Sequence, residues 1–220
     1  MGSKIEAVAL NTPGFFRRGS IDMEIRAAKE CLKKTRLDPN MLGLLVNTGV
    51  YRDRNIGEPA IATLIQKEIG ANEIFAGGGS TFSFDLTNGG CGMLTGMMVV
   101  DGYLHSGDID YGMVVTADAD PVPGRTEGFH FTPAAAAILL SRGTEGHGFL
   151  HYRTATEGRF IDDLTGRIEW MEYKGKMRNI LVVKQAEGFA ASCARFAREN
   201  LDSFLKELSL TMKDIDLVIP

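Results

Sequence analysis

Residues 83–107 read SFDLTNGGCGMLTGMMVVDGYLHSG and carry the most informative pattern in the chain. An alternating apolar run at 82–86 predicts a strand, and Asn88-Gly89-Gly90 predicts a tight turn. After Cys91, apolar residues recur at helical spacing as far as Gly107, a residue typical of a helix end. These residues are Met93, Leu94, Met97, Met98, Val100 and Leu104. The pattern therefore places Cys91 on a strand–turn–helix corner.

A cysteine at such a corner suits nucleophilic chemistry. The first turn of a helix has unpaired backbone N–H groups and a partial positive charge, and both stabilise a thiolate. The neighbouring glycines remove side-chain bulk, so an acyl group can approach the sulfur closely. The geometry is that of a nucleophile elbow with sulfur in place of the serine oxygen. Cys31 and Cys193 lie inside predicted amphipathic helices, and we interpret both as small core residues.

Length and composition exclude several classes of protein. The chain has 220 residues, 44% of them hydrophobic, which is enough for one large globular domain or two small ones. Its net charge of −4 argues against a nucleic-acid partner. Since no apolar run approaches the length of a membrane span and the first residues lack a signal-peptide pattern, we predict no membrane partner. Three widely separated cysteines fit a cytoplasmic protein and exclude a disulfide framework or a CxxC metal site.

Strands alternate with helices along most of the chain. The predicted elements are strands at 5–10, 41–47, 82–86, 111–117, 134–141, 147–154 and 215–219, and helices at 22–36, 59–70, 92–107 and 187–208. Within this set, 134–141 and 147–154 are predicted to form a hairpin. Pro59 is predicted to occupy the first turn of its helix, and Gly70 to end that helix. The charged segment 157–179 predicts a surface loop or small hairpin. This order predicts an α/β fold with a mostly parallel or mixed sheet and helices on both faces.

The segment FDLTNGGCGMLTGMMVVDGYLHSGDIDYGMVVTADAD, residues 84–120, resembles the active-site region of the thiolase superfamily. The resemblance is strongest to beta-ketoacyl-acyl-carrier-protein synthase III. It is carried by Phe84, Asp85, Leu86, Cys91, Ser106, Gly107, Val114 and Val115. The segments LLVNTG at 44–49, EPA at 58–60 and DIDLVIP at 214–220 are also similar to this family. If the resemblance holds, Cys91 is the residue that the family acylates.

The resemblance also implies a domain organisation. Residues 1–156 correspond to the N-terminal thiolase-like half, 157–179 to a connecting loop or hairpin, and 180–220 to an incomplete start of the C-terminal half. In the family, a catalytic histidine directly follows the strand that corresponds to 216–220, and an asparagine lies further on. Neither can be assigned to a residue here. We therefore expect a chain that lacks most of its C-terminal half and is inactive on its own.

The implied reaction is the transfer of an acyl group to Cys91, followed by condensation with a malonyl-type thioester to give a beta-ketoacyl product. The substrates are thioesters of coenzyme A or acyl-carrier protein, and no bound cofactor is expected. The backbone N–H of Cys91 is the candidate donor to the oxyanion. In the family the strand before the cysteine pairs with its copy across a two-fold axis. A homodimer through residues 81–86 is therefore expected, or a heterodimer with a complementary subunit.

Two other functions remain open. Residues 90–96 also match G-x-G-x-x-x-G between a strand and a helix, and Asp118 ends the next strand, as in an NAD(P)-binding oxidoreductase of the Rossmann type. The second alternative is a non-catalytic or half-site subunit of a thiolase-like complex. The chain has four histidines. We interpret His105, His147 and His151 as surface or strand residues. His130 precedes a predicted strand, and we assign it no catalytic role.

Overall fold

A mixed five-stranded sheet forms the centre of the protein, in a computed structural model that describes residues 2–13, 19–74, 77–122, 126, 128–129, 131–144 and 148–219. Its strands are β1 (Ser3–Asn11), β2 (Leu42–Asn47), β3 (Phe82–Asp85), β4 (Tyr111–Asp118) and β5 (Ala134–Arg142), in the order β1-β5-β4-β2-β3. Strand β2 is parallel to β3 and β4, whereas β5 is antiparallel to β4 and β1. This confirms the predicted mixed sheet. Strand β3 lies at its edge.

Helices cover both faces of this sheet, as predicted. The helices of the chain are α1 (Ser20–Thr35), α2 (Ile61–Ile69), α3 (Gly92–Ser106) and α4 (Phe189–Glu207). Leu45 and Val115 pack with α1 and α2 on one face, while Leu44, Val46 and Val114 pack with α3 on the other. Successive residues of a strand point to opposite faces, so β2 must be apolar throughout to fill both cores.

The ends of the helices agree with the sequence at their C-termini and differ from it at one N-terminus. Gly70 ends α2 with φ 77° and Gly107 ends α3 with φ 86°, in the left-handed region that glycine adopts without strain. The predicted glycine stops are therefore confirmed. Pro59, in contrast, precedes the N-cap residue Ala60 and does not occupy the first turn of α2.

Two strand predictions are wrong. Residues 148–154 form no strand, and residue 147 lies outside the described residues, so β5 has no hairpin partner in the described part of that segment. The apolar run at 215–219 also forms no strand. The hairpin is instead built from β6 (Leu164–Tyr173) and β7 (Lys176–Gln185), as a separate two-stranded sheet. The interpretation of 157–179 as a loop or small hairpin is consistent with it, although β7 extends further.

Across the described ranges, every helix is too short or too polar to cross a bilayer.

Two glycines set the distance between α3 and the sheet. A Cβ on Gly96 would lie 2.8 Å from Val114 Cγ1 and 2.9 Å from Thr48 Cγ2. On Gly92 it would lie 3.0 Å from Thr48 O. These separations are shorter than ordinary van der Waals contact, so only glycine allows the helix to approach β2 and β4 this closely. The approach fixes the position of the helix start that carries Cys91.

Replacing Gly96 by alanine is therefore expected to lower the free energy of unfolding by about 1–3 kcal/mol, because the added methyl group overpacks the interface. Gly102 lies on the same helix, and a Cβ there meets nothing within 4 Å. Gly102→Ala should instead raise the free energy of unfolding by about 1 kcal/mol through higher helix propensity. Urea denaturation of both variants measures the contrast. Equal effects of the two substitutions would contradict the close-approach account.

Candidate active site

Cys91 lies where the sequence predicts it, on a corner between β3 and α3. Strand β3 ends at Asp85, a short 3₁₀ turn covers Gly89–Cys91, and α3 begins at Gly92. Cys91 is the N-cap residue of α3, and its side chain is exposed. The corner therefore presents the sulfur to solvent at the positive end of a 15-residue helix.

The backbone at the corner differs from the prediction in one respect. The N–H groups of Cys91 and Gly92 are not free, because they donate to Asn88 O at 3.0 Å and to Gly89 O. The Asn88 side chain donates to Thr95 Oγ1 at 2.9 Å, and this hydroxyl donates to Cys91 O at 2.9 Å. This network closes the turn from both sides. The role of Asn88 and Thr95 was not predicted, although their spacing across a helix start is compatible with a capping contact.

Asp85 connects the corner to the rest of the sheet. Its carboxylate accepts from the backbone N–H groups of Ile61 and Ala62, each at 2.9 Å, and thereby caps α2. It also accepts from Asn47 Nδ2 at 3.2 Å and pairs with Arg52 at 2.8 Å. Since the α2 N-cap is an alanine, which has no polar side chain, the cap has to come from a distant residue. From the sequence, Asp85 is recognised only as a residue of the family motif, and its capping role is not predicted.

The same arrangement recurs at α1. Its N-cap is Gly19, which offers no side chain, and the carboxylate of Asp53 accepts from Ser20 N at 2.7 Å and Ile21 N at 3.3 Å. Both helices thus start at the carboxyl edge of the parallel strands. Each is capped by an acid that is remote in sequence, and negative charge is favourable at these helix ends.

Glu24 is buried among these acids. Its side chain is 1% exposed. Its Oε1 lies close to Gly49, where an added Cβ would be 2.7 Å from this oxygen. Burial raises its pKa well above the ordinary value of 4.5, and the negative charges of Asp53, Asp85 and Asp118 raise it further, against the opposing effect of Arg52. Burial also raises the pKa of Asp118. The neutral, protonated form of Glu24 is therefore favoured more strongly than that of an exposed glutamate.

This assignment predicts a pH-dependent effect of Glu24→Gln. Above pH 4.5 the unfolded chain loses the Glu24 proton while the folded chain keeps it. The folded state then binds more protons, so the free energy of unfolding of the parent falls with rising pH, by up to about 1.4 kcal/mol per pH unit, until the raised pKa is passed. The glutamine variant lacks this loss and should gain stability relative to the parent as pH rises. Urea denaturation between pH 4 and 8 measures the difference.

Glu68→Gln serves as the control, because Glu68 is exposed on α2. Its effect on the free energy of unfolding, measured at the same pH values, gives the effect of removing a carboxylate from an exposed position. A constant difference between Glu24→Gln and the parent at every pH would contradict the buried, protonated state of Glu24.

The histidines are not assembled around Cys91 in the described residues. His105 lies 14 residues further along α3, roughly 21 Å away along the helix axis, and its Nδ1 contacts Asp101 Oδ1 at 3.1 Å. His151 is exposed, in agreement with its interpretation as a surface residue. His130 and His147 lie outside the described residues.

The two remaining cysteines differ from each other. Cys31 is fully buried, as predicted, and burial raises its pKa to about 11. Cys193 is exposed on α4, so its interpretation as a core residue is wrong. The amphipathic pattern of α4 predicts a buried face, but within the described residues only Leu205 of this helix is buried.

The glycine pattern of the dinucleotide-binding alternative has another explanation. Gly92 and Gly96 face Thr48 and Val114 and allow the close packing of α3. Asp118 ends β4 as expected, but with a partly buried carboxyl next to Glu24. These residues are accounted for by packing and by the acidic edge.

Comparison with known proteins identifies the fold. No family model matches the chain. The structure resembles 3-oxoacyl-[acyl-carrier-protein] synthase III from Aquifex aeolicus with a TM-score of 0.77 and 18% identity, over 100% of this chain and 76% of that one. It also resembles Xanthomonas campestris OleA, crystallised with lauric acid and lauroyl-CoA, with a TM-score of 0.68 and 15% identity, over 98% and 76% of the two chains. The fold is thiolase-like, as predicted.

Comparison of sequences finds the same two kinds of protein. The chain is 23% identical to beta-ketoacyl-[acyl-carrier-protein] synthase III of Staphylococcus aureus over 208 residues, which cover 90% of this chain and 59% of that protein. It is 33% identical to acyl-CoA:acyl-CoA alkyltransferase of Shewanella oneidensis over 98 residues, which cover 44% of this chain and 26% of that protein. The chain thus spans less than two thirds of the length of these curated relatives. Both are condensing enzymes.

Proposed function

We propose that the chain carries the acyl-accepting half of a condensing acyltransferase and that Cys91 is its nucleophile. The observation that carries the proposal is the exposed Cys91 at the N-terminus of α3 on a thiolase-like fold. The relatives are named for reactions of acyl-carrier protein and acyl-CoA, which supports thioesters of these carriers as substrates.

In the proposed reaction, the Cys91 thiolate attacks the carbonyl carbon of an acyl thioester. The resulting oxyanion collapses, the bond between the carbonyl carbon and the carrier sulfur breaks, and the released thiolate takes a proton from water. The acyl group is then held as a thioester on Cys91. A malonyl-type thioester loses carbon dioxide, and its carbanion attacks the acyl carbon. The product is a beta-ketoacyl thioester, and the Cys91 sulfur leaves as thiolate.

The corner residues would assist the first step. The absence of side chains at 89 and 90, where a Cβ would meet nothing within 4 Å, leaves space for the thioester beside the sulfur. To donate to the oxyanion, the Cys91 N–H must exchange its bond to Asn88 O for one to the substrate. The Asn88–Thr95 contact keeps the turn closed while this exchange takes place.

Reactivity of the three cysteines tests the nucleophile. Cys91 and Cys193 are both exposed, so exposure alone predicts equal rates of alkylation by iodoacetamide. The field at the N-terminus of α3 should make Cys91 faster by about two- to fivefold, while buried Cys31 should stay unmodified in the folded chain. Peptide mapping after limiting alkylation measures the three rates.

Prior incubation with lauroyl-CoA tests whether Cys91 is an acyl acceptor and not only a reactive thiol. Acylation should protect Cys91 from iodoacetamide and leave the labelling of Cys193 unchanged. Labelling of Cys91 at or below the rate of Cys193, or labelling that lauroyl-CoA does not reduce, would overturn the proposal.

We also propose that β3 pairs with a second copy, or with a complementary subunit, across a two-fold axis. Among the described strands, β3 pairs only with β2, so its other edge is open. Phe82, the first residue of β3, is 56% exposed. The N–H of Leu86 points toward β2, because it donates to Asn47 O at 2.8 Å. Since N–H groups alternate in direction along a strand, that of Ser83 points away from β2. An open edge without lysine or proline is prone to pair with another chain.

A proline at position 83 should abolish this pairing. Ser83→Pro removes an outward N–H without removing a β2–β3 hydrogen bond, so the dimer is expected to dissociate to monomer or to aggregate. Ser83→Ala is the matched control, because it removes only the hydroxyl that donates to Gln66 Oε1 at 2.6 Å and keeps the N–H. Analytical ultracentrifugation distinguishes the states. A parent chain that sediments as a clean monomer would contradict the proposal.

The three unpaired cysteines also support a location for the protein in the cell. Cys31, Cys91 and Cys193 are unpaired, as expected in a reducing environment. We therefore place the reaction in the cytoplasm, in line with the need for a free thiol at position 91.

A further inference from the structure

The β6–β7 hairpin is anchored at its base and projects from there. Leu181 and Val183 of β7 are 7% and 6% exposed. On β6, Gly166 lies against the Tyr51 ring, where a Cβ would be 3.7 Å from Cε1. The Tyr51 ring itself packs against Phe129, with ring centroids 5.2 Å apart. The base is therefore fixed on the segment that follows β2, and the distal part is free to meet another surface.

One face of the distal part is apolar and exposed. In the antiparallel register Ile168 is opposite Leu181, Trp170 opposite Asn179, and Glu172 opposite Met177, so these side chains share a face. Ile168 is 55% exposed, Trp170 69% and Met177 56%. Three large apolar side chains thus form a continuous exposed strip beyond the buried base. Such strips usually mark a surface that binds something apolar.

The other face and the turn are basic. Between Leu164 and Gln185 the hairpin carries five cations and two acids, a net charge of +3, whereas the whole chain carries −4. The cations are Arg167, Lys174, Lys176, Arg178 and Lys184, and all five are exposed. Lys174 and Gly175, with φ 51° and 73°, form a two-residue turn of the kind that favours a narrow hairpin tip. The hairpin thus has a net positive charge in a protein whose net charge is negative.

We propose that the distal β6–β7 hairpin binds the surface of an anionic membrane. Tryptophan side chains, here that of Trp170, settle at the headgroup level of a bilayer. Lysine and arginine beside them gain attraction to anionic lipids. The strip inserts its apolar side chains at the boundary of the acyl chains, with the cations at the headgroups. The expectation of no membrane partner rested on the lack of a spanning run and of a signal peptide, and surface binding by the hairpin, which crosses no bilayer, replaces it.

The size of the exposed strip favours a lipid surface over a protein. A stable protein interface buries about 800 Å² on each partner and involves roughly 20–30 residues a side. The distal hairpin, residues 168–179, supplies twelve, along about 17 Å of strand. A lipid surface requires no complementary shape and binds a tip of this size through a few side chains and several charges.

The chain contains one tryptophan, so Trp170 reports directly on the hairpin. Vesicles of phosphatidylglycerol and phosphatidylcholine should shift the emission of Trp170 to shorter wavelength, and brominated lipids should quench it. Vesicles of phosphatidylcholine alone should do neither. The triple variant Lys174→Glu, Lys176→Glu and Arg178→Glu should bind the anionic vesicles roughly a hundredfold more weakly, as expected for the loss of three basic contacts.

A control variant with the same net charge is Lys29→Glu, Lys67→Glu and Lys213→Glu, whose three lysines are exposed elsewhere. It should bind as the parent does. Cys91→Ala should also bind unchanged, so the result is independent of the proposed acyl transfer.

Four outcomes would overturn the membrane proposal. One is an equal response to both kinds of vesicle, and another is an equal loss in the hairpin and control variants. The third is a Trp170 emission that is already shifted without lipid and depends on protein concentration, which would assign the strip to contact between copies of the chain. A shift produced by an acidic protein such as acyl-carrier protein, with none from anionic vesicles, would likewise replace the membrane by a protein partner.

Discussion

The carboxylate of Asp85 holds together three parts of the protein that are remote in sequence. It caps α2 through two backbone N–H groups, accepts from Asn47 at the end of β2 and pairs with Arg52. The side chain is 8% exposed, so these charge-assisted bonds form where little water competes with them. Because Asp85 is the last residue of β3 and Cys91 follows six residues later, the same contacts fix the start of the corner that presents the sulfur.

Acids gather at this edge because two helices begin there. Asp53 and Asp85 supply the caps that Gly19 and Ala60 cannot, and each carboxylate gains from a helix N-terminus. Burial of Glu24, together with the negative charges of the same acids, raises its pKa. In open α/β sheets the carboxyl ends of parallel strands are the usual place for ligands. The packing glycines of α3 then bring the helix start to this edge, so the fold, the charges and the candidate nucleophile depend on one another.

Much of this architecture could be predicted from local patterns. The apolar runs of β2 and β4, the glycine stops at Gly70 and Gly107, and the corner at Cys91 are each encoded by neighbouring residues. The errors concern long-range partners. The run 215–219 has strand-like composition, but a strand also needs a neighbour to pair with, and no described strand pairs with it. Likewise, α4 has an amphipathic sequence, yet exposed Cys193 shows that periodicity alone does not place a residue in a core. The caps from Asp53 and Asp85 cannot be recognised from neighbouring residues either, because each acid is remote in sequence from the helix that it caps.

The most direct test of the central role of Asp85 is the free energy of unfolding of Asp85→Asn, measured by urea denaturation against the parent. The amide keeps the size of the side chain but removes the charge that Arg52 and the α2 N-terminus require. We expect a loss of about 3 kcal/mol, the range for breaking a buried ion pair from one side. Asp216→Asn, at an exposed position, should leave stability unchanged. A loss below about 0.5 kcal/mol for Asp85→Asn, the range of ordinary surface substitutions, would contradict the account.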